Sequence, residues 1–203
     1  MSPTHEPAKR RLLAAVQALE VGLAAARLPH LVIGGFAVIA HGVARTTRDI
    51  DATVPGEGID IDHVLRILCA AEILPRIDDP VDFARRTQML LLQHQPSGVP
   101  VDVSLAWLPF EIQAIDAGVR TQVGGGIEVP LARPEDLVVY KTVAWRPVDR
   151  RDIDELLLLH LDQIDVPRIR GVIELLADAL DDTERLLGFD ASVHRAERAR
   201  RSR

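Results

Sequence analysis

The sequence LVIGGFAVIAHGVARTTRDIDATV, residues 31–54, carries the pattern that decides the fold. Its apolar start, residues 31–33, predicts a buried strand, and Gly34-Gly35 then leads into a helix-like run. Two glycines allow backbone angles that are closed to other residues and let a ligand approach the main chain. The N–H groups at the start of the following helix attract phosphate. This stretch therefore predicts a strand, a tight turn suited to phosphate, and a helix.

The end of the same stretch, residues 49–54, alternates polar and apolar side chains. In a strand, this period of two places Asp49 and Asp51 on one face and Ile50 on the other. Two neighbouring carboxylates repel each other unless a cation compensates them. Mg²⁺ (or Mn²⁺) takes such oxygen ligands and completes its shell with substrate phosphates. The whole stretch predicts a site for a divalent metal and a nucleoside triphosphate; the alternative is a buried β-α-β unit with two solvated aspartates.

The spacing of these residues resembles a known signature. Gly34-Gly35, thirteen further residues and Asp49-Ile50-Asp51 are similar to the nucleotidyltransferase superfamily with the polymerase-β-like fold. The fuller pattern GGFAV…HG…RTTRDID resembles its AbiEii branch, which includes type IV toxin-like proteins of toxin–antitoxin systems. The resemblance implies an α/β (α+β) fold with a small mixed sheet and a C-terminal helical segment. It also implies an enzyme that moves a nucleoside monophosphate from a triphosphate to an acceptor hydroxyl.

A third carboxylate lies in a second alternating run, residues 99–107, where Asp102 and Ser104 share a strand face. With residues 87–94, whose apolar positions 89–92 we expect to be buried, this run predicts a hairpin. The resemblance implies that Asp102 is the third catalytic and metal-binding acid, on a strand beside Asp49 and Asp51. Such a carboxylate could accept the proton of an attacking hydroxyl. The alternative is an edge-strand aspartate that faces water.

Two cations are candidates for phosphate binding. Arg45 lies in the loop between the glycine turn and the aspartates, where it either binds phosphate or forms an ion pair. Lys141 lies in an apolar helical run, PEDLVVYK, where an unpaired ammonium group would be costly. The resemblance implies that Lys141 contacts the nucleotide phosphates. A salt bridge to Asp149 or Asp152 is the alternative.

The chain divides, by its pattern, into a catalytic domain, residues 1–132, and a helical segment, residues 133–203, packed on it. Helix starts are predicted at Pro134 and after Pro147. An amphipathic helix is predicted over residues 61–74, and the single cysteine in it, Cys69, is expected to be buried. The arginine-rich end of the chain is predicted to be a solvated helix end.

Composition limits the partners. A net charge of −6 argues against a broad nucleic-acid surface, and 3% aromatic residues argue against base stacking. No apolar run is long enough for a membrane span and no secretory signal is present, so we predict a cytoplasmic protein. For the acceptor, the resemblance implies the tRNA 3′ end, with a cognate antitoxin as partner. A protein or small-molecule acceptor, or a catalytically silent nucleotide-binding module, stays open.

Overall fold

The computed structural model describes residues 5–202, which form two compact units. The first contains the described residues through Phe36 together with Thr46–Ala132. The second contains Ala37–Arg45 and the described chain from Arg133 onward. The second unit therefore takes in a short early segment as well as the helices that follow residue 132.

The first unit is built around a mixed sheet. Its elements, in chain order, are α1 His5–Ala25, β1 Leu31–Ile33, the start of α2 Gly34–Ala40, β2 Ile50–Pro55, α3 Ile61–Ala70, β3 Ile73–Pro75, α4 Pro80–Thr87, β4 Met89–His94, β5 Val99–Ala106, α5 Pro109–Asp116, β6 Val119–Gly124 and β7 Ile127–Leu131. In the described chain the strands lie in the order β3-β4-β5-β2-β1-β7-β6. The β2–β5 and β1–β7 pairs are parallel and the others antiparallel, which confirms the predicted mixed α/β fold.

Alternation along the strands sets which side chains enter the core. In β5, Val101 and Val103 are buried, whereas Asp102 is half-buried on the opposite face. The paired strand β4 alternates in the same way: Leu90 and Leu92 are buried and Leu91 is not. The expectation that positions 89–92 are all buried was therefore wrong, because a strand buries only every second residue against one core layer. The hairpin of β4 and β5 is confirmed.

Two other sequence predictions fail in this unit. The helix predicted over residues 61–74 ends at Ala70, because Ile73 and Leu74 pair with His94 and Gln93 of β4 as the edge strand β3. Cys69 is exposed rather than buried, since it lies near the end of α3 on the helix face away from the core. The helix α4 was not predicted, because residues 80–87 contain few apolar positions.

The second unit is helical. It contains the end of α2, then α6 Pro134–Ala144, α7 Pro147–His160, a 3₁₀ turn at Leu161–Gln163, α8 Val166–Leu180 and α9 Glu184–Arg201. Pro134 and Pro147 occupy first-turn positions, which confirms the predicted starts, since proline lacks only an N–H that has no helical partner there. No helix in the described residues is long and apolar enough to cross a bilayer.

Candidate active site

Gly34 and Asp51 meet at the junction of β1 and α2. Asp51 lies opposite Ile33 in the antiparallel β1–β2 pair, one position from Gly34. Gly34 has a φ of +66°, and a Cβ atom added there would lie 1.9 Å from Asp51 Oδ2 and 2.6 Å from Asp51 Cβ. The Asp51 side chain therefore lies directly against the Gly34 main chain, and the approach of a ligand to the glycine turn stays a prediction. A glycine is required here both by the backbone angle and by the space that Asp51 fills.

Asp51 and Asp102 are direct neighbours across the sheet. In the parallel β2–β5 pair, Asp51 is in register with Asp102, and residues paired in this way project from the same face. Asp49 precedes β2 and accepts a hydrogen bond from Thr47 Oγ1 at 2.6 Å. The fold thus brings the three predicted acids into one region of the first unit. The prediction that Asp102 lies on a strand beside the Asp49–Asp51 segment is confirmed by the pairing, and the edge-strand alternative is wrong because β5 lies between β4 and β2.

Asp102 has a perturbed acidity. Burial raises the pKa of the Asp102 carboxyl above its usual range, and the nearby charge of Asp49 raises it further. The guanidinium of Arg76 opposes both effects, since its Nη2 atom donates a hydrogen bond to Asp102 Oδ1 at 2.7 Å. The net effect of these influences is that the pKa of Asp102 lies above its usual value. The protonated form of Asp102 is therefore more favoured than that of an aspartate free in water.

The three acids match a divalent metal in the kind of donor atom but not in arrangement. Hard cations such as Mg²⁺ take carboxylate oxygens, and Asp49, Asp51 and Asp102 supply them. Within residues 5–202, however, no three acidic, histidine or cysteine side chains are grouped closely enough to hold a metal ion. Asp102 is instead engaged by Arg76. Asp49, which accepts a hydrogen bond from Thr47, is not part of the Arg76 ion pair.

Sequence reasoning missed Arg76. This residue directly follows β3, and its N–H donates to the carbonyl of Leu91 in β4 at 3.0 Å. Leu91 in turn lies opposite Asp102. The pairing of three strands brings Arg76 to Asp102, 26 residues further along the chain, and no local pattern signals it.

Lys141 and Arg45 lie in a buried ion-pair network of the second unit. Lys141 Nζ lies 3.0 Å from Asp149 Oδ1 and 2.9 Å from Asp152 Oδ2, and all three side chains are at least 94% buried. Arg45 is paired with the same Asp152 carboxylate, and Arg146 Nε donates to Asp149 Oδ2 at 2.6 Å. The salt-bridge alternative for Lys141 is therefore present with both predicted partners. Ion pairing of Arg45 is also present, and phosphate contact by either cation stays a prediction.

Cations keep the buried Asp149 carboxylate of this network ionised. Burial alone would raise the pKa of Asp149, but hydrogen bonds from Arg146 and Lys141 outweigh it and hold that pKa below its usual range. Three cations share the two carboxylates, so each carboxylate has two cationic partners.

Comparison with known proteins gives a fold but no sequence relative. Neither a protein-family model nor a curated protein sequence matches the chain. Among solved structures, a Helicobacter pylori protein provisionally named a nucleotidyltransferase is similar, with 15% identity over 96% of each chain and a TM-score of 0.51. The antibiotic-resistance factor ANT(2″)-Ia is also similar, with 17% identity over 96% of this chain and 97% of its own, and a TM-score of 0.50.

These likenesses agree with the mixed sheet described above. At such low identity they bear on architecture alone, and the AbiEii branch is not confirmed by them. The chain has the fold of nucleotidyltransferases.

Proposed function

We propose that the protein is a metal-dependent nucleotidyltransferase, which moves a nucleoside monophosphate from a nucleoside triphosphate to an acceptor hydroxyl. The observation that supports this most is the register of Asp51 with Asp102, beside Asp49, in a chain with this fold. In the reaction the bond between the α- and β-phosphates breaks, a bond from the acceptor oxygen to the α-phosphorus forms, and pyrophosphate leaves. The hydroxyl proton passes to a carboxylate base.

The residues have distinct roles in this proposal. Asp49 and Asp51 would hold Mg²⁺ or Mn²⁺, which neutralises charge on the triphosphate and the leaving pyrophosphate when bound. Asp102 would complete the ligand set and accept the acceptor's proton, a role supported by the raised pKa of its carboxyl. Gly34 and Gly35 would position a phosphate through main-chain N–H groups beside the Asp51 carboxylate. That carboxylate would repel an anion unless a cation were present, which links phosphate binding to metal binding.

Arg45 and Lys141 are the proposed phosphate-binding cations of the second unit. Each carboxylate of their network has two cationic partners, so one cation can turn to an anionic group without leaving a carboxylate unpaired. A buried carboxylate left alone would cost several kcal/mol, on the order of 3 to 5. The second partner of each carboxylate avoids that cost.

The proposed acceptor is a hydroxyl group of an RNA, a protein or a small molecule. The AbiEii resemblance favours the tRNA 3′ end, in a toxin–antitoxin system with a cognate antitoxin. A protein hydroxyl or a small molecule such as an aminoglycoside would use the same carboxylates. The net charge of −6 favours the small acceptors, since phosphate backbones are bound by clustered cations.

The proposed function is tested by measuring the transfer of label from a nucleoside triphosphate to an acceptor. Purified protein is incubated with each α-labelled triphosphate, Mg²⁺ and, in separate reactions, total tRNA, a protein extract or an aminoglycoside. We expect transfer to one acceptor class by the natural protein and none by Asp49→Ala or Asp51→Ala. Asp62→Ala, which removes an exposed acid from the first turn of α3, is the matched control and should retain activity. Equal transfer by the two site variants would refute the mechanism.

A second candidate is a nucleotide-binding module without catalysis. The pairing of Asp102 with Arg76 favours it, because a carboxylate held by a guanidinium neither binds a metal nor accepts a proton freely. This candidate predicts heat of triphosphate binding in calorimetry, with no pyrophosphate released in a coupled assay. Pyrophosphate release that requires Asp49 would exclude it.

A further inference from the structure

The Arg76–Asp102 pair is built into the sheet. The main chain of Arg76 is fixed to β4 through the hydrogen bond from its N–H to the Leu91 carbonyl, 3.0 Å long. Leu91 is directly opposite Asp102, so β4 separates the two paired residues by one strand. The Arg76 side chain crosses this strand and reaches Asp102 Oδ1 at 2.7 Å. The main-chain position from which the guanidinium extends is therefore fixed by a hydrogen bond to β4.

The Arg76–Asp102 ion pair is only partly exposed to solvent. The Arg76 side chain is 31% exposed and that of Asp102 is 23% exposed, so water screens their attraction only in part. Among the residues that the structure describes, Arg76 is the one cation paired with Asp102. Asp49 and Asp51 bring two more carboxylates to the same region. The Arg76 guanidinium thus offsets the charge of Asp102 in a region that also contains Asp49 and Asp51.

We propose that Arg76 is a built-in counter-cation for Asp102 and that it competes with a divalent cation for this carboxylate. The inference rests on the proposed function, which it deepens by adding a positioning residue to the same site. While Arg76 holds Asp102, this carboxylate is withheld from a divalent cation. When a divalent cation and its triphosphate bind, Asp102 turns from the guanidinium to the metal, and Arg76 is released beside the phosphates.

This arrangement explains two observations together. It accounts for the absence of a three-carboxylate metal group among residues 5–202, since one of the three is already neutralised. It also gives a reason for a partly buried arginine, directly after the edge strand β3, whose ion pair within the described chain is with Asp102. The expected consequence is that the arginine weakens metal binding and at the same time prevents repulsion among the acids.

The experiment is Mn²⁺ binding to the full chain at neutral pH, measured by electron paramagnetic resonance of the free ion. Arg76→Gln should bind Mn²⁺ about tenfold more tightly than the natural protein, because a unit positive charge near the cation is removed. Arg76→Lys keeps the charge and should lie closer to the natural protein. Arg86→Gln is the matched control: it removes an exposed arginine of the same unit, paired only with Asp82, and should change the affinity less than about twofold.

The outcomes separate this inference from the proposed function. If the natural protein binds Mn²⁺ and Asp49→Ala does not, but Arg76→Gln binds with unchanged or lower affinity, the metal site stands and the role of Arg76 is refuted. If no variant binds Mn²⁺, the metal site and the role of Arg76 both fail. Circular-dichroism melting of each variant shows that it is folded. Should Arg76→Gln melt below the assay temperature, Arg76→Met carries the test, because it also removes the charge and should likewise bind Mn²⁺ more tightly than the natural protein.

Discussion

Replacement of Gly34 by alanine should damage both the stability of the first unit and the site. The added Cβ atom would lie 1.9 Å from Asp51 Oδ2 and 2.6 Å from Asp51 Cβ. Rotation of the carboxylate relieves the first overlap but not the second, because Asp51 Cβ is fixed by the β1–β2 pairing. Ordinary contact between carbon atoms needs about 3.5 to 4 Å. The main chain must therefore shift by about 1 Å.

Two costs add in this variant. A non-glycine residue in the left-handed region costs about 1 to 2 kcal/mol, and Gly34 has a φ of +66°. Forcing extra atoms into a packed position costs a further 1 to 3 kcal/mol or so. Gly58 provides the matched control, since its φ is +68° but a Cβ added there meets no atom within 4 Å. Gly58→Ala should show the first cost alone.

The assay is urea unfolding followed by far-UV circular dichroism. We expect the free energy of unfolding to fall by about 2 to 5 kcal/mol for Gly34→Ala and by about 1 to 2 kcal/mol for Gly58→Ala. Mn²⁺ affinity should fall only in Gly34→Ala, because only that variant moves Asp51. Equal losses of stability and unchanged Mn²⁺ affinity in both variants would refute the close packing of Asp51 against the glycine.

Two further predictions concern the second unit. Gly188→Ala should lower the melting temperature, since the added Cβ would lie 2.2 Å from Trp145 Cη2. Gly171→Ala in α8 is the control: its Cβ meets no atom within 4 Å, and the variant should be more stable by about 0.5 to 1 kcal/mol. A melting temperature of Gly188→Ala equal to that of the natural protein would contradict the packing. The hydrogen bonds that hold the pKa of Asp149 below its usual range should stabilise the fold above the unfolded-state pKa of about 4, with that contribution lost as the pH falls through the folded-state pKa. Asp149→Asn should therefore lose less stability than the natural protein on acidification, measured by urea unfolding at a series of pH values, and an unchanged acid profile would count against the network with Arg146.

Local pattern was sufficient for the parts of the site that lie close together in the sequence. The alternation around Asp51 and Asp102 predicted the strand face of each carboxylate, because side-chain direction in a strand has a period of two. The salt bridges of Lys141 were foreseen for a similar reason. Asp149 and Asp152 lie 8 and 11 residues from Lys141, across a single break between two helices.

Contacts between distant segments were not predicted. Arg45 pairs with Asp152, 107 residues away, and Arg76 pairs with Asp102 across an intervening strand. The helix predicted over residues 61–74 also failed here, since Ile73 has helical spacing in the sequence but gains its hydrogen bonds from β4. Pairing with a neighbouring strand stabilises residues in a strand, and this stabilisation cannot be read from the helix or strand propensity of the residues alone.

The sequence by itself determined the strand and helix around Gly34, the strand face on which Asp102 stands, and the start of α6 at Pro134. These features follow from backbone angles and side-chain periods within a few residues. Only the tertiary structure decided that Asp51 fills the space beside Gly34, that Asp102 stands in register with Asp51, and that Arg76 neutralises Asp102. The physical reason is that strand order and register, which bring these charges within a few ångströms, are fixed by the folding of the whole sheet.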